Sequence, residues 1–582
     1  MRIAVGQGNC GIAAGAKKVY ETLAQSLKET NGISLGITGC IGMCFLEPIV
    51  DIYEDEKLML RLVKVNPDDA AKIIEALSAN NISALESLSI SEQDKSFLEN
   101  QTRIALRNCG TIDPTNIDDY IKTGGYEALK KVLSITPEDV IEEIKTSGLA
   151  GRGGAGFPTW FKWNAARNAP KDKKYLICNA DEGDPGAFMD RAIIESDPHS
   201  LIEGMLIGAY AIGSDEAVVY VRAEYPLAIK RLEEALKQAK ERKYLGSNIF
   251  GSNFTCDIRI KAGAGAFVCG EETALIASLE GKRGMPTLKP PFPAQSGYNK
   301  MPSNINNVET FANVAWIINN GGNAFSAMGT AESKGTKVFA LTGKIERGGL
   351  VEIPMGKSLR DVVINIGGGT RDGKKLKSVQ LGGPSGGCLP ADMLSTVIDY
   401  KALSASGAIM GSGGMVVMDE STCIVQTAKF FLEFTTKESC GKCVHCRLGT
   451  QAIYNVLTRI TDGLGQEGDL ELLEELSQSV KDGALCGLGQ TAPNPVLSTL
   501  QYFRDEYEAH IKHKKCPAKQ CAKLITYSIL PEACTGCGLC AKKCPVNSIT
   551  GVLKSPYTII SDTCTRCGQC LEVCRFKAVN VE

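Results

Sequence analysis

Eight cysteines near the C-terminus repeat one spacing: Cys534, Cys537, Cys540 and Cys544, then Cys564, Cys567, Cys570 and Cys574. Each set reads C-x2-C-x2-C-x3-C, a run that holds paired 4Fe-4S clusters. The two-residue gaps let three thiolates converge on one cube, while the fourth, beyond the longer gap, reaches the cube of the other repeat. One cluster is thus assigned to Cys534, Cys537, Cys540 and Cys574, the other to Cys564, Cys567, Cys570 and Cys544. Structural zinc usually takes two well-separated pairs and fits this run poorly. Arg575 stands where a second proline is usual, which alters a turn and a charge but no ligand.

Three more groups carry metal-ligand chemistry. Cys440, Cys443 and Cys446 form C-x2-C-x2-C, and Cys486 is a distant fourth candidate for a third 4Fe-4S cluster. His510, Cys516 and Cys521 form H-x5-C-x4-C, good zinc ligands that lack a fourth; zinc and a linker with free thiols both remain open. Near the N-terminus, Cys10, Cys40 and Cys44 resemble the ligands of a thioredoxin-like 2Fe-2S domain, which needs four cysteines. Either a non-cysteine group completes that site, or the cluster is lost and the domain remains as a docking module; loss is the expectation. Cys109, Cys178, Cys256, Cys269, Cys388 and Cys423 lack ligand spacing and are expected to be buried as small apolar residues.

Gly151-Arg152-Gly153-Gly154-Ala155-Gly156 satisfies G-x-G-x-x-G. A dinucleotide fingerprint follows a strand and opens a helix, whereas here the helical pattern PEDVIEEIKTSGLA comes first. The Rossmann reading is rejected. What survives is physical: backbone without side chains admits a phosphate or an aromatic ring closely, and Arg152 and Lys162 supply positive charge.

The stretches GRGGAGFPT, CNADEGDPGAF, GAGAFVCGEETAL, KPPFPAQSG, INNVET and ESCGKCVHCR, in that order, resemble the NADH-oxidising FMN/4Fe-4S flavoprotein subunit family of respiratory complex I and its relatives in NAD(P)-linked hydrogenases and formate dehydrogenases. The resemblance implies FMN contacts from Gly151, Arg152, Gly153, Lys162, Asn179, Asp181, Glu182, Gly270, Glu271, Asn306, Asn307 and Thr310. For the nicotinamide nucleotide it implies stacking on Phe157 and Phe292 and polar contacts from Asp184, Glu272 and Lys289. The chain departs from the family at Ala165, where relatives commonly have phenylalanine, and at Trp160, where they have glycine. No side chain need act as acid or base, because hydride passes directly from nicotinamide to flavin and the protein's task is positioning.

Length, composition and pattern set the frame. The chain has 582 residues, 43% apolar and 22% charged, with net charge −2, which speaks against disorder and against a nucleic-acid surface. No secretory leader is legible, LIEGMLIGAYAIG is broken by Glu203 and too short to span a bilayer, and 23 cysteines suit metal ligation in a reducing cytoplasm. The expected fold is multidomain α/β. It comprises a thioredoxin-like domain at 1–80, a linker at 81–114, a non-Rossmann FMN/NAD(P) domain at 115–330 and a β-rich ubiquitin-like (SLBB) module at 331–422. A helical bundle with a 4Fe-4S cluster at 423–510, a hinge at 511–528 and a ferredoxin-like unit at 529–582 follow. The layout is that of a diaphorase subunit of a soluble hydrogenase or formate dehydrogenase, electron bifurcation being an analogy only. Implied partners are a small thioredoxin-like 2Fe-2S subunit, a catalytic subunit and ferredoxin, without membrane insertion. The alternatives are an electron-transfer scaffold with an impaired nucleotide site and a complex I flavoprotein subunit.

Overall fold

Strands buried on both faces read as continuous apolar runs, and Leu176, Ile177 and Cys178 form such a run at the heart of the main body. The computed structural model describes residues 1–29 and 32–582. It divides into two units, Met1–Gly373 with Ser378–Val417, and Lys374–Lys377 with Met418–Glu582.

In the first unit, β1 (Arg2–Gly6), β2 (Ser34–Thr38), β3 (Val50–Glu54) and β4 (Lys57–Leu62) form a sheet of order β2-β1-β3-β4. β1 and β2 are parallel and the other pairs antiparallel. Ile3, Val5 and Ile52 pack with Val19, Leu23 and Ile73 from its helices.

The main body is a parallel sheet of order β7-β6-β5-β8, made of β5 (Tyr175–Ala180), β6 (Glu216–Arg222), β7 (Asp257–Gly263) and β8 (Ser303–Asn307). A second sheet, of order β10-β9-β13-β11-β12, comprises β9 (Thr336–Gly343), β10 (Gly349–Pro354), β11 (Leu376–Leu381), β12 (Gly387–Pro390) and β13 (Gly414–Asp419). The stretch 81–114, polar on average, contains a helix at Glu92–Glu99, and its Ile104, Ala105, Leu106 and Cys109 join the main core. Glu352 anchors it, accepting the Ala105 and Leu106 amides at 2.9 Å each. These residues belong to the body rather than to a free linker, because a few apolar side chains outweigh a polar average.

Helix Pro198–Ile212 is buried nearly all round, as an all-apolar helix must be. Its Glu203 is satisfied there by the Tyr120 hydroxyl at 2.6 Å and the amides of Tyr126 and Leu129. Among the described residues no helix is long and apolar enough to cross a membrane. His199, one turn earlier, lies 2.8 Å from the Tyr126 hydroxyl, and burial lowers its pKa to about 4. A folded pKa below the unfolded value of ~6.5 means that this group's stability is present above pH 6.5 and lost as pH falls toward 4. Between pH 7 and 5 it should cost about 2 kcal/mol. Urea unfolding of His199→Asn at both pH values should show a shallower decline than the parent, and equal declines would contradict the assignment.

In the second unit, helices Ile424–Glu438, Thr450–Thr461, Asp469–Gly483, Asn494–Tyr502 and Arg504–Lys512 close on Leu432, Ile453, Leu457, Leu473, Val496 and Tyr507. The C-terminal part pairs β14 (Tyr527–Ile529) with β17 (Val579–Val581), and β15 (Ile549–Thr550) with β16 (Thr558–Ile559).

Candidate flavin and metal sites

The glycine loop runs between helix Pro137–Ser147 and helix Thr159–Arg167, so no strand feeds it and the Rossmann reading is correctly refused. Gly156 has φ +63°, and a Cβ there would lie 2.7 Å from the Tyr400 ring, whose hydroxyl donates to Gly151 O at 3.0 Å. A Cβ at Gly153 would press on Asn307 at 3.1 Å. In contrast, one at Gly151 would meet only Phe157 O, at 3.5 Å, and one at Gly270 only Asp181 O, at 3.8 Å. Those two glycines leave bare backbone of the kind that admits a planar group closely.

The expected flavin residues divide by what they touch. Asn179 donates to Gly270 O at 3.0 Å and accepts the Asp181 amide at 3.0 Å, joining the end of β5 to the Gly270 wall. Arg152, expected on phosphate, is buried, and its guanidinium donates to the carbonyls of Ala150, Lys334 and Thr336. Thr310 accepts the Arg152 amide at 2.9 Å. The arginine therefore anchors the loop, and positive charge at the pocket falls to Lys162. Glu182 accepts the amides of Asp190 and Arg191 at the start of helix Met189–Ser196. Asn306 accepts the Trp163 indole N–H at 2.9 Å, and Asn307 donates to Asp190. These hydrogen bonds fix the positions of Glu182, Asn306 and Asn307. Lys337 and Glu309 form a fully buried ion pair, with Glu309 accepting the Val338 amide at 2.8 Å. Glu309 stands within INNVET and carried no role in the sequence reading, because a buried charge without a known partner has no legible function.

Lys162 donates to Ile305 O at 2.6 Å and pairs with Glu272 at 3.2 Å. Lys289 bridges Glu272 at 2.6 Å and Glu271 at 3.0 Å. Glu271 also caps helix Glu272–Leu279, accepting the Thr273 and Ala274 amides. Burial raises the Glu272 pKa, but Lys162 and Lys289 outweigh it and hold the carboxyl below its usual value. Asp184 accepts the Ser412 hydroxyl, and burial lifts its carboxyl to about 6. Around this charged strip stand three half-exposed rings, Phe157, Phe161 and Phe292. Phe157 and Phe161 meet edge to face at 5.6 Å, and the short helix after Phe292 packs on helix Thr159–Arg167. Phe161 lies outside the positions that the family resemblance implies; its signal in the sequence is an aromatic one helical turn before Ala165.

The two C-terminal cavities sort the cysteines. One is lined by Cys534, Cys537, Cys540 and Cys574, and the other by Cys544, Cys564, Cys567 and Cys570. This is the crossed assignment, and eight thiols facing two apolar cavities fit two cubanes. In the bundle, Cys486 begins helix Gly487–Thr491, and a Cβ at Gly489 would lie 3.1 Å from Cys446 Cβ. Burial pushes the Cys446 thiol up to about 11, and Cys443, Cys486 and Cys440 add to the shift.

Cys423, expected to be an inert core thiol, instead joins His510, Cys516 and Cys521; their ligand atoms all lie within 4.8 Å of one another and all four residues are buried. Cys423 Sγ is 3.4 Å from His510 Nε2 and 3.7 Å from Cys521 Sγ. A tetrahedron of ~2.3 Å zinc–sulfur bonds has edges of about 3.8 Å. His510 Nδ1 lies 2.7 Å from Glu506 O, a pure acceptor, so Nδ1 carries the proton and Nε2 faces the thiols. Cys10, Cys40 and Cys44 form the other thiol cluster, with Sγ–Sγ distances of 3.0 Å for Cys10–Cys40 and 3.9 Å for Cys40–Cys44.

Three family models match the chain: the Nuo51 FMN-binding domain over 144–316, the NADH-ubiquinone oxidoreductase-F iron-sulfur binding region over 426–510, and a 4Fe-4S dicluster domain over 526–575. The chain is 61% identical to the HndC subunit of the NADP-reducing hydrogenase of Solidesulfovibrio fructosivorans, across 78% of this chain and 93% of that subunit. It is 47% identical to an F-type subunit of the NADH-quinone oxidoreductase of Rhizobium meliloti, across 71% of this chain and 99% of that one. A crystal structure of an NAD+-reducing [NiFe]-hydrogenase in the H2-reduced state aligns with TM-score 0.63 at 30% identity, covering 88% of this chain and 84% of that chain. Fold, family matches and paired cysteine cavities define an electron-transfer protein carrying FMN and 4Fe-4S clusters. The chain belongs to the complex I 51 kDa-type family of NADH-binding flavoprotein subunits.

Proposed function

We propose that this chain is the diaphorase subunit of an NAD(P)-linked multisubunit oxidoreductase, moving electrons between a nicotinamide nucleotide and its iron–sulfur clusters. The observation that carries the reading is the charged strip of Lys162, Glu272 and Lys289 beside exposed Phe157, Phe161 and Phe292, next to the bare wall at Gly270. When bound, FMN takes up two electrons as hydride and releases them singly. The residues hold and orient it. Gly151, Gly153 and Gly270 admit the ring and phosphate, Lys162 meets negative charge, and Asn179, Asp181 and Asn307 hydrogen-bond the flavin. Thr310, Arg152, Asn306, Glu182 and Glu271 keep the walls in place. Asp184, Glu272 and Lys289 take the nucleotide's polar groups.

A hydrogenase- or formate dehydrogenase-type complex is favoured over respiratory complex I because the Rhizobium meliloti relative is matched almost end to end yet leaves 29% of this chain (100% − 71%) uncovered, while a dicluster domain occupies 526–575. The catalytic chemistry, a small thioredoxin-like 2Fe-2S subunit and ferredoxin then lie in partner chains, in the cytoplasm. The four-stranded N-terminal unit is read as thioredoxin-like and the five-stranded module as ubiquitin-like.

Phe161 and Ala165 are four apart on one helix face, so Phe161 takes over the stacking surface that Ala165 lacks. Anaerobic stopped-flow mixing with NADH and NADPH should bleach the flavin with at least one nucleotide; bleaching with neither removes the diaphorase reading. Phe161→Ala should raise the half-saturating nucleotide concentration about fivefold, a ring contact of ~1 kcal/mol, with the limiting rate unchanged. An unaltered half-saturation would leave Phe161 without that role.

A further inference from the structure

Cys10, Cys40 and Cys44 hold their Sγ atoms within 4.8 Å of one another, and among the described residues this set of ligand atoms stops at three. The Cys10 thiol donates to Cys40 Sγ at 3.0 Å, whereas Cys40 and Cys44 stand 3.9 Å apart. A separation of 3.0 Å falls well short of the ~3.8 Å edge between two sulfurs on one zinc. It exceeds the ~2.05 Å of a disulfide bond by only about 1 Å. The Gly42 amide donates to Cys40 Sγ at 3.3 Å, which supports negative charge on that sulfur. On its other side Cys10 Sγ lies 3.7 Å from Glu47 Oε1, while Glu47 Oε2 is fixed by the Ile49 amide at 3.0 Å. Bare backbone brings these groups together: a Cβ at Gly8 would lie 2.7 Å from Cys40 Cβ, and one at Gly11 3.0 Å from Glu47 Oε2. The loops are pinned to helix Met189–Ser196, the Cys40 amide donating to Ser196 Oγ at 3.0 Å and the Asn9 amide to Glu195 Oε2 at 2.8 Å. Cys40 is buried and Cys10 is partly exposed. One thiol is therefore open to a dissolved reactant, and the other waits beneath it.

We propose that Cys10 and Cys40 are a redox-active dithiol, which an external disulfide oxidises to a Cys10–Cys40 disulfide. Cys10 gives its proton to the Glu47 carboxylate and attacks one sulfur of the reactant R–S–S–R. That S–S bond breaks, R–S⁻ leaves, and Cys10 carries the other half as a mixed disulfide. The Cys40 thiolate, already 3.0 Å away, then attacks Cys10 Sγ and expels the second R–S⁻. The proton held by Glu47 passes to one of the two released thiolates. In balance, the two protein sulfurs lose two electrons, and R–S–S–R gains them and ends as R–SH and R–S⁻. A dithiol reductant runs the sequence backwards. Cys44 takes no part in the bond, and the couple needs neither flavin nor cluster. Three thiols that cannot complete a four-cysteine cluster site thus keep a chemistry of their own.

The test equilibrates the full chain, with its flavin and clusters, anaerobically in glutathione buffers of stepped disulfide-to-thiol ratio. Samples are quenched in acid, alkylated, digested with trypsin and read by mass spectrometry. Cys40 and Cys44 share one tryptic peptide, so fragment ions locate the bonded sulfur. Under excess glutathione disulfide, a cross-linked pair joining Cys10 to Cys40 should replace the alkylated forms, and excess thiol should restore them. Cys44→Ser should form the same cross-link. Cys40→Ser should instead retain glutathione on Cys10, because the sulfur that expels it is gone; flavin content equal to the parent's reports intact folding. Cys10 and Cys40 alkylated at every ratio overturn the dithiol, as does a cross-link through Cys44 or an unmodified Cys10 in Cys40→Ser. So does metal on these thiols in the parent, seen as about two irons beyond the ~12 of three cubanes or as a second zinc ion, lost in Cys10→Ser.

Discussion

Alanine at Cys423 is expected to lower bound zinc from one ion per chain to less than a tenth, and to open residues 510–527 to proteolysis. Cys423 caps the first bundle helix, His510 lies near the end of the last, and Cys516 and Cys521 follow on the chain that leads to β14. One zinc ion on these four ligands would tie these segments together, beside the apolar contacts of Ile511, Leu524 and Ile525. Structural zinc contributes on the order of 10 kcal/mol to small domains, so removing one ligand should matter more than removing a buried methylene. Elemental analysis of the parent and of Cys423→Ala decides the matter. A parent without zinc, or a variant that keeps it, would refute the site. Chelation at moderate temperature should reproduce the protease sensitivity without touching flavin content.

Valine at Gly270 is expected to empty the flavin site while leaving the fold and all clusters in place. Gly270 has no left-handed backbone requirement, and a Cβ there would meet only Asp181 O at 3.8 Å. The substitution therefore costs the protein little by itself, and its branched side chain projects into the space proposed for the isoalloxazine. Flavin content should fall at least tenfold, a loss of about 1.4 kcal/mol or more in binding, with iron content unchanged. By comparison, Gly156→Val should damage folding as well, since its φ of +63° and the Tyr400 ring 2.7 Å from a Cβ both oppose a side chain. Full flavin in Gly270→Val would place the cofactor elsewhere.

Where ligands come from one short loop, spacing alone determined the chemistry. The C-x2-C-x2-C-x3-C runs foretold both C-terminal cavities and their crossed membership, because gaps of two or three residues limit where thiolates can point. The same holds for the refusal of a Rossmann loop at Gly151, since a helical period before the glycines excludes a feeding strand. Cys423 and His510 illustrate the opposite case. They are 87 residues apart, and nothing in local spacing links them until the bundle helices pack and bring Sγ and Nε2 to 3.4 Å. Arg152 looked like a phosphate ligand by its charge, yet three backbone carbonyls claim it, and only tertiary structure could say so. Glu47 lies three residues beyond Cys44 in sequence, but that it meets Cys10 depends on how β1 and β3 pair. Short-range covalent geometry is written in order along the chain, whereas contacts across many residues exist only once burial of apolar surface has chosen which elements meet.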